Sequence, residues 1–314
     1  MDPIVRVMNL VKRYKDLTAI DHLSLTVEEG EIFGLLGPNG SGKTTLISCI
    51  LALLKYDQGE IEVFGRPMTS KSTDAKKQMG LVPQEVAVYE ELTVQENIDY
   101  FCGLYIEDRE TRRRCVEEAI QFVQLQDFRK FRPSKLSGGL LRRLNLACGM
   151  AHRPRLLILD EPTVAVDPQS RNRILEGIQQ LREQGASVIY TSHYMEEIEQ
   201  ICDRLAILDH GKLLALGSRS EILAKSSLKE TIRLIVQDLP ADTLTALQNN
   251  PALAGVRREG TELGCQLRAG AFGLMDLVHL LEEAGASVRS IQTERPTLND
   301  VFLEITGKEL RDHA

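Results

Sequence analysis

The sequence predicts an α/β fold built around a phosphate-binding loop and followed by a smaller α+β domain. Residues 37–45, GPNGSGKTT, fit the phosphate-loop pattern G-x-x-x-x-G-K-[ST] without a mismatch. The apolar segment 32–36 before them is typical of a buried strand, and the mostly apolar segment 45–54 after them of a buried helix. After residue 217 the hydrophobic pattern predicts the order βαββαβ, which is the ferredoxin-like plan.

The composition is that of an ordinary soluble protein. Of the 314 residues, 43% are hydrophobic and 26% charged, and the length allows two domains. A net charge of -7 argues against a nucleic-acid surface. Residues 1–10 lack the layout of a signal peptide, and the longest largely apolar run, 46–54, is too short to cross a bilayer. The six cysteines are scattered without a C-x-x-C pair, so we expect a reducing cytoplasm.

The phosphate loop predicts binding of a nucleoside triphosphate. Its glycines let the backbone curl closely around phosphates, and the N–H groups at the helix start point at the anion. Lys43 would neutralise the β- and γ-phosphates, and the Thr44 hydroxyl would hold Mg²⁺. A glycine-rich turn before a core helix is the alternative, which is disfavoured because every constrained position is filled. The predicted nucleotide-binding residues here are Gly37, Pro38, Asn39, Gly40, Ser41, Gly42, Lys43, Thr44 and Thr45.

An aromatic residue, Tyr14, lies between two predicted strands, 4–10 and 22–27. Its ring could stack on an adenine, a contact that tolerates water on the other face. An ordinary surface tyrosine is the alternative, and the nearby phosphate loop favours the adenine contact.

The middle of the chain contains a second predicted anion-binding helix terminus. Strands are predicted at 59–64 and at 79–82, and the pattern is helical and charged over 85–132. Ser137 is a plausible N-cap for the helical run that continues to residue 151. Gly138 and Gly139 follow it and allow close backbone approach at the positive helix end, although this signal is weak by itself.

Two further strands place polar residues at their carboxyl ends. The apolar strand 156–159 ends in Asp160 and Glu161, which is the Walker B arrangement. Asp160 can reach Mg²⁺, and Glu161 is placed to polarise an attacking water. His193 follows the strand 186–192, where a parallel sheet presents its ligand-facing edge, and its position favours contact with a γ-phosphate.

Together these residues resemble the ATP-binding cassette family in order and spacing over residues 4–217. The segment 136–140, LSGGL, is similar to the family's signature, and residues 37–44 to its Walker A motif. Two positions depart from the family pattern: Leu140 replaces a frequent glutamine, and Ala165 a frequent glycine. The remaining matches are Tyr14 with the A-loop aromatic, Gln84 with the Q-loop, Asp160 and Glu161 with Walker B, Asp167 with the D-loop, and His193 with the switch histidine.

The resemblance implies a P-loop NTPase cassette that uses ATP and Mg²⁺. The cassette would have a parallel-sheet core, an antiparallel β subdomain and a helical subdomain at about 85–150, all within 1–217. Two cassettes would pair head to tail, with each ATP between Walker A of one and the signature residues Ser137, Gly138 and Gly139 of the other. Asp167 of the D-loop would also bind the nucleotide. Glu161 would be the general base, with His193, Lys43 and Gln84 also catalytic. The implied metal ligands are Thr44, Gln84 and Asp160.

The domain at 218–314 lacks phosphate-binding motifs. Its predicted strands are 231–237, 255–259, 262–268 and 286–293, and its predicted helices 241–248, 272–284 and 298–305. The tail 295–304 resembles the ending of cassette subunits from bacterial drug, antibiotic and sodium exporters. We expect a regulatory or dimer-supporting module.

The resemblance therefore favours the ATPase subunit of a membrane exporter, working at the cytoplasmic face through a separate transmembrane permease. It would export a drug, an antibiotic, a lipid-like compound or an ion, and the ATPase pair would be a homodimer or heterodimer. An importer subunit is the nearest alternative. A soluble cassette acting on ribosomes and a DNA-repair cassette are disfavoured, because the chain has one P-loop and no long insertion between the Walker motifs. We expect Val86 and Tyr89, just after Gln84, to line a groove for a short helix of the permease.

Overall fold

The computed structural model describes residues 3–225, 228–268, 270, 272–294 and 297–306. These residues divide into two units, with the boundary between Arg219 and Ser220. The predicted boundary, between 217 and 218, lies two residues earlier. None of the helices in the described ranges is long and apolar enough to cross a bilayer.

The first unit contains ten strands and seven α-helices among its described residues. The strands are β1 (Val5–Tyr14), β2 (Leu17–Val27), β3 (Ile32–Leu36), β4 (Gln58–Val63), β5 (Arg66–Pro67), β6 (Met79–Val82), β7 (Leu156–Asp160), β8 (Ser187–Ser192), β9 (Arg204–Asp209) and β10 (Lys212–Gly217). The helices are α1 (Lys43–Ile50), α2 (Thr73–Lys76), α3 (Val94–Gly103), α4 (Arg109–Phe122), α5 (Gly138–Met150), α6 (Pro168–Glu183) and α7 (Met195–Ile201).

The central sheet of this unit has the strand order β10-β9-β3-β8-β7-β6. Neighbours from β9 to β6 pair in parallel, and β10 pairs with β9 antiparallel. The strands β3, β7 and β8 are buried at every position, which explains their nearly continuous apolar sequences. Their carboxyl ends meet at one edge, so the sheet brings the segments after Leu36, Asp160 and Ser192 together. The predicted parallel-sheet core is confirmed.

A second sheet, in the order β2-β1-β4-β5, is antiparallel throughout. The prediction that Tyr14 lies between two strands was wrong, because Tyr14 is the last residue of β1. The hairpin is tighter than expected: Tyr14 pairs with Leu17 across a two-residue turn in which Lys15 has φ 50°. The hydrophobic pattern missed this extension because residues 12–16 are exposed or half-buried.

The first helix of the region 85–132 begins later than the predicted helical pattern, which starts at 85. Residues 85–92 form no helix, and α3 starts after the N-cap Thr93, whose hydroxyl accepts from Glu96 N at 3.3 Å. The buried Asn97 side chain accepts from Tyr89 N at 2.8 Å and donates to Leu92 O at 3.1 Å. These bonds hold the segment as a loop, which the apolar periodicity could not indicate.

The second unit has the predicted ferredoxin-like order. Its sheet is β12-β13-β11-β14, antiparallel at each pairing, and a buried apolar cluster lies within the unit. Arg295 and Pro296 of the predicted tail lie outside the described residues. The elements are α8 (Arg219–Lys225), β11 (Leu228–Gln237), α9 (Ala241–Gln248), β12 (Leu253–Glu259), β13 (Glu262–Arg268), α10 (Leu274–Glu283), β14 (Ser287–Glu294) and α11 (Leu298–Thr306).

Candidate active site

The phosphate loop connects β3 to α1 in a conformation that requires glycine. Gly42 is the N-cap of α1 with φ 106°, and a Cβ there would lie 2.6 Å from Ala19 O. A Cβ on Gly37 would collide with the carbonyl of Leu208. The loop therefore lies against the neighbouring backbone, and the free N–H groups of the first turn of α1 belong to the same loop.

A cleft of about 360 Å³ lies beside this loop. Tyr14 lines the cleft with 45% of its surface exposed, and Lys12 Nζ lies 5.0 Å from the centre of its ring. The sequence predicts that an adenine stacks on this ring, and the exposure of Tyr14 leaves that a prediction. The other lining residues are Leu17, Thr18, Ala19, Asn39, Gly40, Ser41, Gly42, Lys43, Thr44, Thr45, Gln84, Glu161 and His210.

The buried polar groups of the loop fit a phosphate ligand. Lys43 is 5% exposed, and its Nζ donates to Gly37 O at 2.7 Å and to Pro38 O at 3.1 Å. The Ser41 hydroxyl is buried and makes no hydrogen bond to the described residues. A buried hydroxyl without a partner is costly. A phosphate oxygen in this loop would supply the acceptor that it lacks.

Asp160 lies between two hydroxyl donors. Thr44 Oγ1 donates to Asp160 Oδ2 at 3.0 Å, and Thr191 Oγ1 donates to Oδ1 at 2.7 Å. A carboxylate and a hydroxyl oxygen in contact fit Mg²⁺, which takes few protein ligands beside substrate phosphates.

Glu161 is the point at which four separate segments meet. Its carboxylate lies 3.3 Å from Lys43 Nζ, 3.2 Å from His193 Nδ1 and 3.5 Å from Gln84 Nε2. Glu161 is 5% exposed and has φ 47°, a conformation that ordinary side chains rarely adopt. Its N–H donates to Thr191 Oγ1 at 2.9 Å. The four predicted catalytic residues are therefore adjacent.

The signature residues do not line this cleft. Ser137 caps α5 by accepting from Leu140 N at 3.4 Å. Ser137 and Gly138 are exposed, whereas Gly139 is buried, and a Cβ there would lie 2.8 Å from Ser170 Cβ. Gly139 is thus required by packing against α6 within the chain. The adjacent Asp167 is the N-cap of α6 and accepts from Ser170 N at 3.0 Å.

Two functional contacts were missed by sequence reasoning. Thr191 orients both Asp160 and the Glu161 backbone, and its only signal was its position near the end of β8. Arg142 donates from Nη1 to Gln84 O, which joins α5 to the segment after β6. Ala165, one of the two departures, has φ 58°, so it occupies the left-handed region that favours glycine.

Comparison with known proteins gives consistent matches. The ABC transporter family model matches residues 20–164. The chain is 39% identical over 308 residues to the linearmycin resistance ATP-binding protein LnrL of Bacillus subtilis, covering 97% of this chain and 98% of LnrL. It is 33% identical over 318 residues to the Nod factor export ATP-binding protein I of Sinorhizobium fredii, covering 99% and 88% of the two chains. A dimeric ATP-binding cassette in a post-hydrolysis state, bound to ADP and Pi, matches with TM-score 0.63 and 26% identity, over 68% of this chain and 98% of that one.

Proposed function

The chain belongs to the ATP-binding cassette (ABC) transporter family, and from this premise we propose that it is the ATP-hydrolysing subunit of a membrane exporter. The observation that carries the proposal is the convergence of Lys43, Gln84 and His193 on Glu161 beside a phosphate loop. Relatives named for linearmycin resistance and Nod factor export align over nearly the whole chain, which supports export as the direction of transport. The cargo would be a drug, an antibiotic, a lipid-like compound or an ion.

The loop residues bind ATP in this proposal. The N–H groups of the first turn of α1 and Lys43 surround the β- and γ-phosphates, and Tyr14 stacks on the adenine. Lys43 exchanges its carbonyl contacts for phosphate oxygens. Thr44, Asp160 and Gln84 would hold Mg²⁺, which neutralises charge on the β- and γ-phosphates when bound.

Glu161 is the general base in this proposal. Its carboxylate accepts a proton from the attacking water, and its buried position keeps bulk water from competing for it. His193 and Lys43, both within 3.3 Å of Glu161, stabilise the transferred charge. Because the signature and Asp167 do not line the cleft, we propose that they contact the ATP of a second subunit in a head-to-tail pair.

The 218–314 domain is proposed to regulate or support this pair, and the subunit is proposed to act at the cytoplasmic face of the membrane. It is held there by a separate transmembrane permease. The exposed ring of Tyr89 supports this contact, because 44% of its surface is open and it stacks on Phe101 at 5.9 Å, which gives a rigid aromatic surface.

Replacing Lys43 with alanine tests nucleotide binding. We expect ATP affinity to fall at least about tenfold, because the charge-assisted contact to the phosphates is lost. The measurement is fluorescence titration with a labelled ATP analogue, together with phosphate release. Lys71→Ala removes an equal charge at an exposed position outside the site and should bind normally. Unchanged affinity in Lys43→Ala would contradict the assignment of the phosphate loop.

Charged substitutions at Val86 and Tyr89 test the permease surface. We expect the Val86→Glu, Tyr89→Asp double variant to lose co-purification with a co-expressed transmembrane permease, because charges would be buried in an apolar contact. ATP affinity should remain within about twofold of wild type, since neither side chain lines the cleft. Leu53→Glu, at another exposed apolar residue, is the matched control. Retained assembly of a folded double variant would exclude this surface.

A further inference from the structure

A buried carboxylate lies behind the candidate active site. Glu197, on α7, is 2% exposed. Its Oε2 accepts from three hydroxyl groups: Ser192 Oγ at 2.7 Å, Tyr190 OH at 2.8 Å and Thr163 Oγ1 at 2.9 Å. Such a concentration of donors on one oxygen offsets the cost of removing the charge from water.

The donors on Glu197 belong to the segments that present the catalytic residues. Thr163 follows Glu161 by two residues, and Ser192 directly precedes His193. The Ser192 oxygen also accepts from Tyr194 N at 2.9 Å, which fixes the turn on the other side of His193. One carboxylate therefore joins the turn after β7 to the turn after β8.

Glu197 also connects these turns to α6 through Arg171. Glu197 Oε1 lies 3.2 Å from Arg171 Nε, and the Arg171 guanidinium carbon lies 4.7 Å from the centre of the Tyr194 ring. The Tyr194 ring in turn lies 4.1 Å from the His193 ring. Arg171 lies in the first turn of α6, where its N–H donates to the carbonyl of the N-cap Asp167 at 2.9 Å. The ion pair between Glu197 and Arg171 therefore reaches the helix that Asp167 caps.

We propose that Glu197 is a positioning residue. Together with Arg171, it holds the side chains of Glu161 and His193 in their relative positions at the phosphate site. The proposal rests on the proposed ATPase function. A satisfied core acid is the alternative role for a buried glutamate. It is disfavoured because the partners of Glu197 lie on the catalytic turns and on the helix capped by Asp167.

The experiment compares wild type with Glu197→Gln, Ser192→Ala, Arg171→Gln and Arg171→Lys in the full chain. Glu197→Gln retains the shape but removes the charge, and Ser192→Ala removes a single hydroxyl. We expect kcat to fall about tenfold in Glu197→Gln and Arg171→Gln with KM within about twofold, because small displacements of reacting groups are costly while the phosphate loop is untouched. Arg171→Lys keeps the positive charge but loses the planar contact with the Tyr194 ring, so its kcat should lie between those of Arg171→Gln and wild type.

A second readout does not depend on ATP hydrolysis. We expect the imidazole Cε1–Hε1 NMR resonance of His193, assigned with His193→Asn, to shift in nucleotide-free Glu197→Gln and Arg171→Gln. Arg182→Gln is the matched control on the same helix, since it breaks an exposed ion pair with Asp203 and should move neither kcat nor this resonance.

Three results would overturn the proposal. One is a folded Glu197→Gln whose kcat lies within about twofold of wild type, and another is a His193 resonance that does not move. The third is a rise of KM in Ser192→Ala as large as its fall of kcat, because it would indicate general damage to the nucleotide site. A wild-type chain without ATPase activity would contradict the proposed function instead, while the resonance would still decide the role of Glu197.

Discussion

Glu161→Gln will bind ATP and lose at least about a hundredfold in turnover, the typical contribution of a general base. A glutamine keeps the size and one carbonyl oxygen of the glutamate but cannot accept a proton from water. The substitution also removes the ion pair with Lys43, whose Nζ lies 3.3 Å from Glu161 Oε1 in the wild-type protein. Lys43 then becomes freer to contact the phosphates. ATP affinity should therefore stay equal or rise.

The measurement combines phosphate release with equilibrium ATP binding. Glu183→Gln makes the same chemical change at an exposed position of α6 and should hydrolyse ATP at the wild-type rate. Turnover of Glu161→Gln near that of wild type would show that another group accepts the proton. Loss of ATP binding in the same variant would show that the carboxylate supports the fold of the loop.

Gly138→Asp will abolish ATP-driven pairing of two subunits while leaving the monomer folded. A Cβ at Gly138 would meet only Ala165 O, at 4.0 Å, so the site has room for a side chain. In the proposed head-to-tail pair, the aspartate would place a negative charge against the phosphates bound by the second subunit. Like charges at close range cost several kcal/mol, or about a hundredfold or more in affinity.

Pairing is best measured by light scattering with ATP in the Glu161→Gln background, where the dimer does not dissociate through ATP hydrolysis. Gly138→Ala has the same backbone change without the charge and should still pair. Leu140→Gln should keep hydrolysis within about threefold, because in the proposed pair the phosphate contacts come from Ser137 and the helix N–H groups and not from the side chain at 140. Dimerisation of Gly138→Asp with wild-type affinity would show that residues 137–139 do not contact the phosphates.

Gly139 contrasts with Gly138 and shows what a motif alone leaves undecided. The sequence pattern treats both as phosphate-facing glycines, but only Gly138 is exposed. A Cβ on Gly139 would lie against Ser170, and its distance from Asp167 Oδ2 would be 3.2 Å. The lack of a side chain at Gly139 is a packing requirement of α5 against α6, which depends on Asp167 and Ser170, 28 and 31 positions further along the chain.

Sequence patterns alone are enough to predict the phosphate loop, the acidic end of β7 and the βαββαβ order of the second unit. These features are local: a strand, a turn and a helix are specified by residues within a few positions of one another. The same patterns did not predict α6, α7, β9 or β10.

Which of these segments are neighbours depends on the folded sheet. The strand order β9-β3-β8-β7-β6 is not the chain order, so the meeting of Lys43, Gln84, Glu161 and His193 depends on long-range pairing. The same pairing placed Thr191 on Asp160 and Glu197 behind both catalytic turns. The physical reason is that hydrogen bonds and buried area between strands distant in sequence fix the sheet order. The hydrophobic periodicity of one segment does not specify which strands it pairs with.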